Sequence, residues 1–100
     1  LSALARDLYA CVRCGGHGGK LDVDHILPLA GWPGLAFDLA NLQTLCPACN
    51  VDKQSEEQAL LRRVTMMTLP EREREAQRFV RQQQRRQAYK RMLTGGVGVL

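Results

Sequence analysis

A small α+β domain is the fold predicted for this 100-residue chain, and three observations predict it. Two Cys-x-x-Cys pairs, Cys11 with Cys14 and Cys46 with Cys49, are separated by 31 residues. That is longer than a plain metal-binding ribbon needs, so folded chain must occupy the gap. Inside it, Leu21-Asp22-Val23-Asp24-His25-Ile26 alternates apolar and polar residues, the period of a half-buried strand. Beyond the second pair lie two long segments that carry helix start signals, one opening at Pro47 and one at Thr68.

Taken in order, Ser2 can cap a short first helix with Leu4 and Leu8 on one side, which delivers the chain into Cys11. Gly15-Gly16-His17-Gly18-Gly19 follows Cys14 at once and reads as a tight, exposed turn of a metal knuckle. The strand over residues 21–26 ends at Pro28. Residues 28–40 hold Pro28, Gly31, Pro33 and Gly34 and are expected to form a loop without elements of its own, pinned to the core by Trp32, Leu35 and Phe37. Leu42-Gln43-Thr44-Leu45 is the return strand that brings Cys46 beside Cys14. Pro47 suits the first turn of a helix running through Val51, Leu60, Leu61 and Val64 towards Met67. Thr68 with Glu71 three residues later fits a capping box, and Glu71, Glu73 and Glu75 favour the positive end of a second long helix. That helix should reach about Leu93 on a sparse stripe of Ala76, Phe79, Val80, Tyr89, Met92 and Leu93, and stop at Gly95-Gly96-Val97-Gly98, with a mobile end. No internal repeat is present.

Length bounds the chain to one domain with a modest core, for which a metal staple is a common remedy. No apolar run is long enough to span a membrane, and no signal peptide opens the chain. Because it begins at Leu1 rather than Met, it is expected to be part of a longer polypeptide or a trimmed form. The net charge of +4 hides an asymmetry. Residues 1–61 carry four basic and seven acidic residues, a net of −3, whereas residues 62–100 carry ten basic and three acidic, a net of +7. The basic part is where a polyanion should be held.

The four cysteines read as one tetrahedral zinc site, because each Cys-x-x-Cys pair presents two soft thiolates to the same ion. Two disulfides in a secreted protein would also use four cysteines, and a thioredoxin-like redox motif would use one such pair. The polar residues around the pairs favour metal, and with it a reducing intracellular compartment, cytoplasmic or DNA-associated. Four thiolates leave no open position on a four-coordinate zinc, so this ion is structural and any catalytic ion sits elsewhere. Asp24 can offer a hard oxygen ligand and Asn50 a second through its side-chain carbonyl, a donor pair suited to Mg2+ or Mn2+. His25 can take a proton from water near neutral pH, and Asn41 can hold the imidazole by a hydrogen bond. Singly, each has a plainer reading: Asp24 and His25 as surface polarity on a strand, Asn50 as a helix cap.

Asp24-His25-Ile26, Asn41-Leu42-Gln43-Thr44-Leu45-Cys46 and Cys49-Asn50-x-x-Lys53 together resemble the HNH endonuclease family, over about residues 9–54. The resemblance implies the ββα-metal (His-Me finger) core: a two-stranded hairpin and a helix around one metal. It implies His25 as the general base that activates water against a phosphodiester, Asn41 as the residue that orients it, and Asp24 and Asn50 as ligands of the catalytic ion. The cysteines match the subset with a four-cysteine structural zinc. Many members carry His where this chain has Asn50, some carry a His pair in place of Asp24-His25, and Gln54 stands where one branch has a further His. The chain therefore resembles the Asp/Asn-ligand members, with a lower expected affinity for the catalytic metal.

The expectation is thus a divalent-metal-dependent endonuclease acting on DNA, chiefly through the phosphate backbone and within a longer polypeptide or larger assembly. Residues 1–67 would form the nuclease domain and residues 68–100 a basic helical extension. Its cofactors would be structural Zn2+ and catalytic Mg2+ or Mn2+. Lys53 could meet a phosphate or simply solvate its helix. Arg78, Arg81, Arg85 and Arg86 lie in a stretch, Ala76 to Arg91, without a single acidic residue, and the missing Glu–Arg pairing favours phosphate contact over a solvated face. Asp22 and His17 are expected to be solvent-facing. Two other classes remain open: a zinc-dependent nucleic-acid-binding module without catalysis, and a protein-interaction domain using the long C-terminal helix.

Overall fold

The computed structural model of the chain describes residues 2–17 and 19–93, with side chains up to Ala88 in the last helix. Helix α1 (Ala3–Arg6) is a single turn whose cap, Ser2, accepts a hydrogen bond from the Ala5 N–H at 3.1 Å. Leu8 and Tyr9 follow in the left-handed region, at φ 57° and 53°, and turn the chain into the first knuckle. There the Cys11 N–H donates to the Gly16 carbonyl at 3.0 Å and the Gly15 N–H to the Cys11 carbonyl at 2.7 Å. Gly15 needs its glycine because φ is 79°. The Val12 N–H donates to the Thr44 carbonyl at 2.9 Å and lays the knuckle on the second strand.

Strands β1 (Asp22–His25) and β2 (Leu42–Leu45) pair antiparallel, with Asp24 opposite Gln43 and His25 opposite Leu42. Strand β1 is one residue shorter at each end than the alternating pattern predicts. Leu21 packs on the cysteine cluster instead, and the Ile26 N–H still donates to the Asn41 carbonyl. The loop expected to lack elements holds two short 3-10 helices, Pro33–Leu35 and Leu39–Asn41. Proline at the first position starts one, and the Asp38 side chain caps the other by accepting from the Ala40 N–H at 3.0 Å. Trp32 and Leu35 pin this loop to the core as expected. Phe37 does not: it lies between the two turns and is 97% exposed.

Helix α2 (Pro47–Val64) begins at Pro47 as predicted and ends three residues before Met67. Helix α3 (Leu69–Leu93) starts on a formed capping box: the Thr68 N–H donates to Glu71 Oε1 at 2.9 Å and the Glu71 N–H to Thr68 Oγ1 at 3.4 Å. Helices α2 and α3 fold against each other. Leu60 and Val64 of α2 meet Ala76 and Phe79 of α3 and Leu27 of the loop in one buried apolar cluster. A second cluster is built on sulfur, with Cys11, Val12, Leu45 and Cys49 buried together. The basic segment thus shares the domain's apolar core through Ala76 and Phe79. The expected stop at Gly95–Gly98 and the side chains of Tyr89, Met92 and Leu93 lie outside the described residues.

Candidate active site and metal centre

The Sγ atoms of Cys11, Cys14, Cys46 and Cys49 all lie within 4.8 Å of one another, and none forms a disulfide. Cys14 and Cys46 Sγ are 3.9 Å apart. Thiolates at a zinc–sulfur distance of about 2.3 Å on a tetrahedron stand roughly 3.8 Å from each other, so the four sulfurs can hold a zinc ion with little movement. The electrostatics fit a cation. Burial pushes the Cys11 thiol up, but the backbone N–H groups of Cys46, Cys14 and Arg13 outweigh it and bring Cys11 down to about 7. Burial pushes Cys14 and Cys49 up, and the charge on Cys11 adds to that. One thiolate forms readily near neutral pH, and Cys14 and Cys49 resist until a positive ion shares the site.

Beside this staple, an open groove of about 610 Å³ runs between β1 and α2. Asp24 and Asn50 both line it, together with Gln54 and Glu57. Asp24 Oδ2 is 2.9 Å from Lys53 Nζ and accepts from Gln43 Nε2 at 3.1 Å, while Oδ1 accepts no hydrogen bond from the described residues. His25 is not among the residues lining the groove. Its Nε2 lies 3.0 Å from the Ala36 carbonyl. A carbonyl only accepts, so in the neutral ring Nε2–H is the donor and Nδ1 is the free acceptor.

Two expectations are corrected here. The hydrogen bond predicted from Asn41 to the imidazole is not made. Asn41 is buried, and its Oδ1 accepts from the Leu27 N–H at 2.9 Å. Its Nδ2 donates to the Leu27 carbonyl at 3.2 Å and the Leu35 carbonyl at 3.4 Å. Its amide matches both polar groups of one peptide backbone, so it clamps the loop that carries Ala36 rather than the ring itself. Lys53, expected to meet a phosphate or face solvent, is 0% exposed. Its ammonium donates to Glu57 Oε1 at 2.7 Å and to the His25 carbonyl at 2.9 Å, and pairs with Asp24 Oδ2 at 2.9 Å. Fully buried among these three oxygens, it is turned away from DNA.

Sequence reasoning missed Gln43 and Glu57 as partners of this site. Gln43 stands directly opposite Asp24 in the strand register, a relation that neither strand's own pattern fixes. The basic helix is corrected in part as well. Two of its arginines have acidic partners: Arg78 lies 3.4 Å from Glu75 of the same helix, and Arg86 pairs with Glu56 of α2. Glu56 also accepts from Arg13 at 3.1 Å and from Gln83 Nε2 at 2.8 Å. The Glu56 pairing runs between helices, so the spacing along α3 could not reveal it, whereas Glu75 lies three residues before Arg78. Arg81 and Arg85 are exposed without an acidic partner among the described residues. Asp22 lies 3.9 Å from Lys20 at the surface, and His17 is exposed.

The HNH endonuclease family model matches residues 11–56. A probable HNH endonuclease of Lactococcus phage SK1 is 46% identical over 57 residues, which cover 51% of this chain and 60% of that relative. No solved structure is significantly similar. The matched span runs from the first knuckle through the loop and β2 into α2, and so contains all four cysteines and Asp24, His25, Asn41 and Asn50.

Proposed function

We propose that this chain hydrolyses DNA phosphodiester bonds with a divalent ion, through residues 11–56, which match the HNH endonuclease family model. Asp24 and Asn50 would hold the ion, Mg2+ or Mn2+, by their side-chain oxygens, and the ion would supply polarisation of the scissile phosphate and of the leaving 3′ oxygen. His25 is the general base. With Nε2–H held by the Ala36 carbonyl, Nδ1 accepts a proton from a water molecule. The resulting hydroxide attacks phosphorus, the bond to the 3′ oxygen breaks, and that oxygen takes a proton from solvent, leaving 3′-hydroxyl and 5′-phosphate ends. Asn41 supports the base at one remove, by fixing the loop backbone on both sides of the turn that presents Ala36. Arg81 and Arg85, on the net-positive part of the chain, bind phosphates. Residues 68–100 then act as a basic extension of the nuclease domain in residues 1–67.

The observation that carries this reading is the shared groove. Asp24 on β1 and Asn50 on α2 come from opposite ends of the motif and line one cavity, and His25 follows Asp24 directly on β1 with its Nε2 3.0 Å from the Ala36 carbonyl. The test is incubation of the purified chain with supercoiled plasmid and Mg2+ or Mn2+. Nicking that EDTA abolishes is the expected result. DNA binding without cleavage under every divalent ion would instead favour a non-catalytic nucleic-acid-binding module.

A further inference from the structure

We propose that Lys53 is a positioning residue of this active site, one buried ammonium that fixes the Asp24 carboxylate and the His25 backbone together and touches no DNA. The inference rests on the nuclease reading above. An ammonium has three donors and no acceptor, and here three acceptors surround it: Asp24 Oδ2 at 2.9 Å, Glu57 Oε1 at 2.7 Å and the His25 carbonyl at 2.9 Å. Two of the three belong to consecutive residues of β1, the proposed ion ligand and the proposed base. Lys53 itself sits on α2 three residues after Asn50, so the two lie within one turn of the same helix. A single side chain therefore ties the helix that carries one ion ligand to the strand that carries the other.

The same contacts decide which oxygen of Asp24 is left for the ion. Lys53 pairs with Oδ2 and Gln43 donates to it, which leaves Oδ1. Glu57, four residues after Lys53 and lining the same groove, brings a second carboxylate, and the ammonium between them keeps the two from repelling each other. Stability alone does not account for a lysine here. A buried ion pair is often no better than an apolar side chain of the same volume, and Lys53 is fully buried. Fixing two reacting partners at once is something an apolar side chain cannot do.

The test compares the wild-type chain with Lys53→Met, which keeps the aliphatic stem, and Glu57→Gln, which replaces one ion-pairing carboxylate by a neutral amide at a partly exposed position. Zinc content and circular dichroism monitor the fold. Single-turnover cleavage of a labelled duplex is measured at saturating Mg2+, and duplex affinity is measured without divalent ion at several salt concentrations. Misplacement of reacting groups by about 1 Å costs on the order of 10²-fold. Lys53→Met should therefore slow cleavage about 10- to 100-fold, with affinity and its salt slope unchanged. Glu57→Gln should slow it less and also leave affinity unchanged. A salt slope shallower by about 0.9 in Lys53→Met would show that the ammonium had been neutralising a phosphate and would overturn the proposal. So would cleavage within twofold of wild type. If Lys53→Met loses its zinc, Glu57→Gln decides: a wild-type rate there overturns the role. A wild-type chain that cleaves nothing sinks the nuclease reading and this role with it, whereas active wild type with fully active variants sinks this role alone.

Discussion

Replacing Glu56 with Ala should destabilise the domain by about 3 kcal/mol, because Glu56 is where the zinc knuckle, α2 and α3 are joined. Its Oε1 accepts from Arg13 at 3.1 Å and from Gln83 Nε2 at 2.8 Å, and its Oε2 pairs with Arg86. The Arg13 side chain is 1% exposed, and its Nε is already buried without a partner. Truncation at Glu56 leaves that guanidinium out of water with only Gln83 Oε1 beside it. Removing one member of a buried pair costs about 3–5 kcal/mol, and the 22% exposure of Glu56 puts this case at the low end. Arg86, 42% exposed, adds at most about 0.5 kcal/mol. For a domain of this size the loss corresponds to a fall of roughly 12–24 °C in Tm. The assay is thermal unfolding followed by circular dichroism at one fixed zinc concentration, because bound zinc also stabilises the folded state. A second arm uses pH. Burial pushes the Glu56 carboxyl up, but Gln83, Arg13 and Arg86 outweigh it and hold it below its ordinary value of 4.5. Its contribution is therefore complete above about pH 4.5 and fades as pH falls through the lower folded value. Glu56→Gln should show a flatter loss of stability on the acid side than wild type. A Glu56→Ala protein within about 0.5 kcal/mol of wild type would refute the reasoning, because the buried Arg13 would then have needed no anionic partner.

His25→Ala should lower cleavage by about 10²- to 10⁴-fold while zinc content and the circular dichroism spectrum stay as in wild type, since His25 is no zinc ligand; near-normal cleavage would remove it as the base. Cys49→Ser should release zinc and unfold the core, because metal binding energy here is folding energy, and elemental analysis of the wild type should find about one zinc per chain. Two disulfides and no metal would overturn the architecture. Arg81→Gln with Arg85→Gln should weaken DNA binding across sequences and flatten its salt dependence by about 0.9 log unit for each phosphate no longer neutralised. The pair Arg78→Gln and Arg86→Gln should flatten it less, because both already have acidic neighbours. Equal slopes for the two double variants would show that intramolecular pairing does not decide which arginines meet DNA.

What was legible in the sequence was the part encoded at short range. The cysteine pairs, the glycine at Gly15, Pro47 at a helix start and the Thr68–Glu71 box each satisfy a geometric demand within a few residues, so their spacing alone shows them. The motif around Asp24, His25, Asn41 and Asn50 was legible for the same reason, and the family match covers it. The alternation over residues 21–26 located β1 to within one residue at each end. The two 3-10 turns in the loop were not legible, because Pro33 and Asp38 fit an irregular loop equally well.

The sequence by itself determined the four-cysteine donor set, the order of the strands and long helices, and the resemblance to the HNH endonuclease family. Tertiary packing decided which polar groups are left over to act. Lys53, Arg13 and Arg86 look alike in sequence: long cations whose default is to lie in solvent. Packing puts Asp24, Glu57 and the His25 carbonyl around the first, Glu56 and Gln83 against the second, and Glu56 again on the third. Asn41 is turned from the imidazole to the Leu27 backbone in the same way. The physical reason is that a hydrogen-bonding side chain commits its donors to whatever acceptors reach it once water is gone, and those acceptors come from strands and helices far away in sequence.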